Sequence, residues 1–315
     1  MRNLRIVFMG TPDFAVATLK ALVEHQYHIV GVITAPDKPA GRGRKLNESA
    51  VKQYAKQEGL TILQPTNLKN KDFIEELKAL NANLQIVVAF RMLPKVVWQM
   101  PEYGTFNLHA SLLPNYRGAA PINWAVINGE TKTGVSTFFI DEKIDTGEMI
   151  LQEEIDIHPE ENAGSLHDKL MQLGSDLVIK TVELIKSGNV TTSSQIESEA
   201  IKTAYKLNKE NCKINWHSPI EDIYNHIRGL APYPAAWCTL INGEETLDIK
   251  IYDVEKEIES HNNSVGTIIS TKKTLKVSVT EGYINILKIK LPGKKLMDTK
   301  SLLNGYQFDD GAKMR

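Results

Sequence analysis

Asn107 and His109 are the residues whose types and spacing first suggest chemistry. They stand two positions apart in residues 106–110, so in an extended segment both side chains point to one face and Leu108 points to the other. An amide donor and an imidazole on one face can both be directed at a single oxygen. Such an arrangement suits a carbonyl carbon that passes through a tetrahedral, negatively charged intermediate.

A carboxylate that could join this pair follows in residues 141–147, which read Asp-Glu-Lys-Ile-Asp-Thr-Gly. Asp145 can orient the imidazole of His109 or hold it protonated. Taken singly, an asparagine or histidine on a strand is more often a satisfied polar residue, and an Asp-x-Gly segment is usually a turn. The three residue types in this order, with Ser-Leu-Leu-Pro at residues 111–114, favour a catalytic site over those structural interpretations.

The spacing Asn-x-His-x-Ser-Leu-Leu-Pro, followed by Asp-x-x-x-Asp-Thr-Gly, resembles the signature of the formyltransferases that use 10-formyltetrahydrofolate. For formyl transfer to an amine, we assign the stabilisation of the oxyanion to Asn107 and a protonated His109. Asp145 is then the partner of the imidazole and the base that takes the amine proton. We expect the neighbouring turn to hold the folate through Ser111, Leu112, Leu113 and Pro114.

The overall composition is that of an ordinary globular chain. It has 315 residues, of which 42% are hydrophobic and 24% are charged, and this length suffices for two domains. Cys212 and Cys238 lack the spacing of metal ligands, so we expect buried thiols and neither a disulfide nor a zinc site. No apolar stretch resembles a signal peptide or approaches the roughly 20 residues that span a bilayer. These features predict a cytoplasmic protein that needs no metal and has no membrane partner.

Basic residues are concentrated in two places, although the formal net charge is only −1. Residues 36–45 hold four basic residues against one acid, and residues 272–300 hold eight lysines against two acids. Two such patches are compatible with local electrostatic binding of a polyanion such as RNA. For the C-terminal lysines the alternative stays open that they are solvated faces or guarded sheet edges.

The first basic patch lies in a glycine- and proline-rich loop at residues 35–47, which cannot pack as core. It resembles the Pro-Asp-Lys/Arg-Pro-Ala-Gly-Arg-Gly loop of the methionyl-tRNA formyltransferase family, which enters the acceptor stem of the initiator tRNA. The resemblance implies that Arg42 is the main RNA-reading residue, and that phosphates are contacted by Lys38, Arg44 and Lys45. It also implies initiator methionyl-tRNA as the partner, a role in translation initiation, and a monomer.

The first part of the chain alternates short apolar runs with helical segments, which predicts a doubly wound, mostly parallel α/β sheet of the Rossmann-like formyltransferase type. We expect Thr11 or Asp13 to cap the first helix. Gly10 is not part of a Gly-x-Gly-x-x-Gly motif, which binds dinucleotides, so we expect no nucleotide cofactor.

Ligands of such sheets bind at the carboxyl ends of the strands. In the family, the segment at residues 90–94 lines the pteridine pocket, and here Arg91 replaces the usual glycine.

The last hundred or so residues change to short β-like runs separated by turns, a pattern that predicts a small antiparallel barrel. Residues 231–237 and 291–297 resemble the OB-like C-terminal domain of the same family. The predicted organisation is a formyltransferase catalytic domain at 1–188, a linker at 189–208 and a tRNA-binding β-barrel domain at 209–315.

Four other functions compete with this interpretation. A formyltransferase acting on a small amine, such as glycinamide ribonucleotide or an amino sugar, shares the Asn-x-His and Asp pattern. A hydrolase that releases formate would use water in place of the amine. An RNA-binding protein with an inactive enzyme domain would show no turnover, and a dehydrogenase would bind nicotinamide.

Overall fold

The computed structural model of the chain describes residues 1–40, 45–198 and 200–315, which form two compact units. The first unit consists of Met1–Gly118, Thr133–Ile155 and His167–Thr203, and the second of Ala119–Lys132, Asp156–Leu166 and Ala204–Arg315. The division at 1–188, 189–208 and 209–315 stays a prediction. Contacts within the structure instead assign two internal segments of the predicted catalytic domain to the second unit.

The first unit is built on a seven-stranded sheet in the order β10–β9–β7–β6–β1–β2–β5. Up to residue 118 the elements are β1 (Ile6–Gly10), α1 (Asp13–Glu24), β2 (Ile29–Ile33), β3 (Lys38–Ala40), β4 (Lys45–Asn47), α2 (Ala50–Gln57), β5 (Ile62–Leu63), α3 (Lys71–Ala79), β6 (Leu84–Val88), α4 (Lys95–Trp98), β7 (Thr105–His109) and β8 (Arg117–Gly118). They are followed by α5 (Pro121–Ile127), β9 (Lys132–Phe139), β10 (Met149–Asp156) and α6 (Ala163–Ser187).

Parallel pairing dominates this sheet. The neighbouring pairs β5–β2, β2–β1, β1–β6 and β6–β7 are all parallel, and β9 runs antiparallel to β7. All five residues of β1 and all five of β6 are buried, as expected for central strands covered on both faces. The prediction of a mostly parallel, doubly wound sheet is therefore confirmed. Because β6 and β7 are parallel neighbours, their carboxyl ends lie side by side.

Part of the predicted loop at 35–47 forms a short hairpin. β3 pairs antiparallel with β4, with Lys38 opposite Asn47. Backbone pairing of this kind needs no apolar core, so the composition of the segment did not reveal it. Arg42 and Arg44, together with the side chain of Lys45, lie outside the described part of the chain, and Lys38 is exposed.

The first helix begins differently from the prediction. Its N-cap is Pro12, and no side chain caps it, so the expected cap by Thr11 or Asp13 is wrong. A proline has no backbone N–H to satisfy and has a fixed φ, and both properties suit the entry of a helix.

The second unit contains the predicted antiparallel barrel. Its remaining elements are β11 (Thr203–Ala204), α7 (Ile220–Leu230), β12 (Ala236–Asn242), β13 (Glu245–Ile258), β14 (Ile268–Ser270), β15 (Leu275–Val279), β16 (Gly282–Lys290), β17 (Met297–Asp298), α8 (Thr299–Leu303) and β18 (Lys313–Met314). The sheet order is β14–β15–β16–β13–β12–β18. Thr267, beside β14, pairs with Lys313 of β18, and Met314 N donates to Gly266 O at 2.8 Å. These bonds join the two ends of the order and close the barrel.

Two helices of the second unit pack closely because one of them carries a glycine. A Cβ added to Gly229 of α7 would come within 2.6 Å of Ile127 Cγ1 on α5 and 2.8 Å of the Ile127 backbone N. The side-chain amide of Asn123 donates to Gly229 O at 2.8 Å. This contact explains why the segment Ala119–Lys132 belongs with the C-terminal part of the chain.

Within the described residues, none of the helices combines the length and apolar character that crossing a bilayer requires.

The two thiols should be inert in the folded chain. Cys212 and Cys238 are free and buried among the apolar side chains of the second unit. Burial raises the pKa of the Cys212 thiol, and it raises the pKa of Cys238 far above the usual range. Because the thiolate is the reacting form, we expect neither cysteine to react with an aromatic disulfide reagent at about pH 8, and both to react in denaturant. Rapid labelling of the native chain would contradict this packing.

Candidate active site

β7 positions Asn107 and His109 at alternate places, as their spacing predicted. Phe106 and Leu108, which alternate with them, are buried, and the strand is paired with β6 on one side and β9 on the other. Asn107 is half-buried, and its side-chain amide has no hydrogen-bond partner among the described residues. A rigid strand therefore presents an amide whose donors are not used within that part of the protein.

The His109 imidazole is buried, with 6% of its surface exposed, and held in one orientation. Its Nε2 lies 2.8 Å from the backbone O of Tyr116. Because a carbonyl oxygen can only accept, Nε2 carries the hydrogen and donates it. The other ring nitrogen, Nδ1, lies 3.8 Å from Oδ2 of Asp145.

Asp145 reaches this position from a bent backbone. Its φ is +55°, in the left-handed region that aspartate tolerates better than most residues. Oδ2 accepts a hydrogen bond from the backbone N of Gly118 at 2.9 Å. The structure thus places Asp145 beside His109, and Asn107 lies two residues from His109 on the same strand, although the catalytic roles of all three residues stay predictions.

The other residues of the Asp-x-x-x-Asp-Thr-Gly motif build the loop that carries Asp145. The Asp141 carboxylate accepts from Thr146 Oγ1 at 2.8 Å and from the backbone N of Lys143 at 2.9 Å. A Cβ added to Gly147 would lie 1.7 Å from the backbone O of Phe139. The motif therefore combines one carboxylate that lies beside His109, two residues that fold the loop, and a glycine that lets the loop pack against β9.

The turn that was predicted to hold the folate is anchored by β9 and β10. Ser136 Oγ accepts from Leu113 N at 3.2 Å and donates to Ser111 O at 2.6 Å. Gln152 Nε2 donates to Leu113 O at 2.7 Å. Several backbone groups of the turn are thus used inside the protein, and the folate contacts of Ser111, Leu112, Leu113 and Pro114 stay a prediction.

The departure from the family pattern at Arg91 has a structural role. Its guanidinium donates to the backbone O of Thr66 at 2.9 Å and also to the backbone O of Pro65. Burial lowers the pKa of this guanidinium. Arg91 therefore ties the segment after β6 to the segment after β5, at the carboxyl edge of the sheet.

Four residues that support this region were not predicted from the sequence: Ser136, Gln152, Gln195 and Arg117. Ser136 and Gln152 anchor the turn, and the side chain of Gln195 bonds both to Arg117 and to the loop that carries Asp145. Ser136, a polar residue buried within the apolar strand β9, offered a usable signal, whereas Gln152 is exposed on β10 and offered none. Gln195 gave none, because it lies in a Ser-, Thr- and Glu-rich segment with the composition of a linker.

Among the residues that the structure describes, no group of three or more His, Cys, Asp or Glu side chains is arranged to hold a metal ion.

Sequence comparison identifies the family. The Formyl transferase pattern matches residues 4–182, and the pattern of the formyl transferase C-terminal domain matches residues 206–307. A methionyl-tRNA formyltransferase from Flavobacterium johnsoniae is 63% identical over 314 residues and covers 100% of both chains. The chain belongs to the methionyl-tRNA formyltransferase family. Another member, from Bacteroides thetaiotaomicron, is 53% identical over 99% of this chain and 98% of its own length. The resemblance found in the motifs is thereby confirmed.

The fold of the family extends to more distant enzymes. The crystal structure of WlaRD, described as a sugar 3N-formyl transferase in the presence of dTDP and 5-N-formyl-THF, matches with a TM-score of 0.64. The match covers 94% of this chain and 100% of that chain at 20% identity. At this identity the likeness shows the shared fold alone.

The position of Gly147 leads to a prediction about the loop. In Gly147→Ala the new methyl group must displace the loop from Phe139 O, and Asp145 moves with it. Because a misplacement of about 1 Å can reduce a rate about 100-fold, we expect a loss of that order in the formyl-transfer rate at saturating substrate.

The matched control is Gly305→Ala, since no heavy atom lies within 4 Å of the Cβ position there. It should keep full activity. An active Gly147→Ala variant with unchanged thermal stability would show that the loop tolerates the displacement.

Proposed function

We propose that this chain transfers the formyl group of 10-formyltetrahydrofolate to the α-amino group of methionine on initiator methionyl-tRNA, for translation initiation in the cytoplasm. The observation that carries the proposal is its full-length identity of 63% with a relative of that name. The side chains gathered around Asn107 support the same chemistry. The monomeric state stays a prediction.

The reaction needs little activation of its nucleophile. A free α-amino group has a pKa of about 8, and the ester bond to tRNA lowers it, so much of the amine is unprotonated at neutral pH. The more demanding step is the attack itself, which puts a negative charge on the formyl oxygen. The enzyme therefore needs donors placed where that charge develops.

Asn107 and His109 are the proposed donors. The amide of Asn107 has no partner among the described side chains and backbone groups, so it donates to the oxyanion without giving up another bond. Nε2–H of His109 is used by Tyr116 O. The protonated ring presents its second N–H at Nδ1, and the 3.8 Å to Asp145 exceeds a direct hydrogen bond. That N–H is therefore available to the reacting oxygen.

Asp145 is the proposed base. Its Oδ2 is engaged by Gly118 N–H, which leaves Oδ1 to take the proton that the amine loses, directly or through one water. The amine nitrogen bonds to the formyl carbon and gives the tetrahedral oxyanion, and the bond from that carbon to N10 of the folate then breaks as the carbonyl re-forms. Asp145 then passes the proton to N10, so the carboxylate is regenerated and the protons balance.

The tRNA would be held by basic side chains. In the first unit these are the predicted loop residues Lys38, Arg42, Arg44 and Lys45. In the barrel, Lys276 lies 2.6 Å from Glu257 and Lys288 lies 3.2 Å from Asp253, so both charges are partly neutralised by neighbouring strands. The exposed lysines at residues 272–273 and 294–295 are the better candidates for phosphate contacts.

A small amine is the second candidate acceptor. The shared fold of a sugar N-formyl transferase over nearly the whole chain is the observation in its favour. It differs from the main proposal in the acceptor alone and leaves the chemistry at Asn107 unchanged.

An acceptor assay distinguishes these possibilities. Transfer from 10-formyltetrahydrofolate should be rapid to methionyl initiator tRNA, and near background to free methionine, glycinamide ribonucleotide and an amino-sugar nucleotide supplied in parallel. Preferred transfer to a small amine would overturn the tRNA proposal, and the absence of transfer to every acceptor would overturn the enzymatic one.

The role of Asn107 can be measured directly. In Asn107→Ala one oxyanion donor is lost, so we expect kcat for methionyl-tRNA to fall about 100- to 1000-fold. The exposed Asn189 on the same unit provides the control, and Asn189→Ala should retain wild-type turnover. A kcat for Asn107→Ala within about twofold of wild type would remove the residue from the mechanism.

A further inference from the structure

We propose that Gln195 is a positioning residue for Asp145, and that residues 192–198 and 200–202 form a brace for the active site. This segment has the composition of a linker, yet in the structure it contacts the supports of both Asp145 and His109. The inference rests on the catalytic role proposed above for Asp145.

Gln195 is the central residue of the brace because both polar atoms of its side-chain amide form hydrogen bonds. Its Nε2 donates to the backbone O of Asp145 at 3.0 Å and of Gly147 at 2.8 Å. Its Oε1 accepts from Arg117 Nε at 3.1 Å and from the same guanidinium at 2.7 Å. One amide thus joins a charged donor to the two carbonyl groups that border the turn at Asp145.

The same guanidinium belongs to the segment that contacts Asp145 directly. Gly118, which follows Arg117 in β8, donates its backbone N–H to the Asp145 carboxylate at 2.9 Å. Both parts of Asp145 are therefore hydrogen-bonded to β8. The carboxylate bonds to it directly through Gly118, and the backbone bonds to it indirectly through Gln195 and Arg117.

The residues before Gln195 run beside the same loop. Ser193 and Met149 exchange two backbone hydrogen bonds of 2.8 and 3.0 Å. Thr192 Oγ1 donates to the carboxylate of Glu148 at 2.5 Å. The brace therefore runs beside the loop for several residues and contacts it at more than one point.

The far end of the brace supports His109. Lys202 O accepts from Tyr116 N at 2.6 Å, and Lys202 N donates to the side chain of Asn115 at 3.1 Å. Tyr116 O is the acceptor of the His109 Nε2–H. Both partners of the proposed catalytic pair thus depend on this one segment.

Gln195 is less exposed than the residues on either side of it in the chain. Residues 191–194 and 196–198 are exposed, and Ile196 keeps 77% of its surface, but Gln195 is half-buried. A glutamine can donate and accept at once, whereas a glutamate could accept from Arg117 but could not donate to carbonyl groups. The left-handed conformation of Asp145 is sparsely populated by non-glycine residues, so it persists where neighbouring groups hold it, as Gln195 does here.

Two substitutions test the role of this amide. Gln195→Ala removes all its bonds, and Gln195→Glu keeps the Arg117 partner while removing both donors to the loop. In each we expect kcat to fall about 10- to 100-fold, with KM for the folate and for methionyl-tRNA changed less than threefold. A KM effect with unchanged kcat would overturn the proposal.

The decisive measurement is a double-mutant cycle with Asp145. In single-turnover experiments with enzyme in excess, Gln195→Ala should slow wild-type enzyme but have almost no further effect in an Asp145→Ala background, because it acts through Asp145. Equal effects in both backgrounds would overturn the positioning role alone. Wild-type rates in Asp145→Ala itself would instead overturn the proposed function of Asp145.

The control separates positioning from general destabilisation. Gln172 lies exposed on α6, where its Nε2 bonds to Asp176 at 3.2 Å. Gln172→Ala should leave kcat and the pH profile of the reaction unchanged. If Gln195→Ala is too unstable to assay, Gln195→Glu carries the test, since its ion pair with Arg117 retains one anchor of the segment. Normal kcat and pH dependence in that variant would overturn the proposal.

Discussion

The backbone turn at Asp145 is the constraint on which the rest of the site depends. Its carboxylate lies 3.8 Å from His109, and the residue that carries it has a positive φ. A strained turn of this kind persists only when its surroundings hold it from several sides. Here Gly118 holds the carboxylate, Gln195 holds the backbone, and Gly147 lets the loop approach β9.

The sheet provides the rigid reference for that turn. β7 lies inside the sheet, paired on both edges, so Asn107 and His109 are fixed to a strand whose other side chains are core. The proposed catalytic pair, His109 and Asp145, therefore joins a rigid strand to a loop. The strand places two donors with little freedom, and the loop brings the carboxylate that strand geometry by itself could not place beside them.

The second unit is stabilised in a different way from the first. Its barrel is stabilised by closure, because pairing of Thr267 with Lys313 satisfies edges that would otherwise be open. Lysines on its strands are in part matched by acids on neighbouring strands, so a count of basic residues overstates the positive surface. A polyanion would meet the turns of the barrel more readily than its strands.

Local pattern determined much of this protein. The parallel sheet and the antiparallel barrel were predicted from periodicity and turn residues, and Asn107, His109 and Asp145 were predicted as site residues from the spacing within two short motifs. Each of these signals is contained in a short stretch of sequence. Tertiary structure alone decided which groups hold the site in place. Gln195 lies 50 residues from Asp145 along the chain and contacts it through backbone groups that every residue possesses. No side-chain pattern encodes such a contact, because it exists only after the sheet has brought the two segments together.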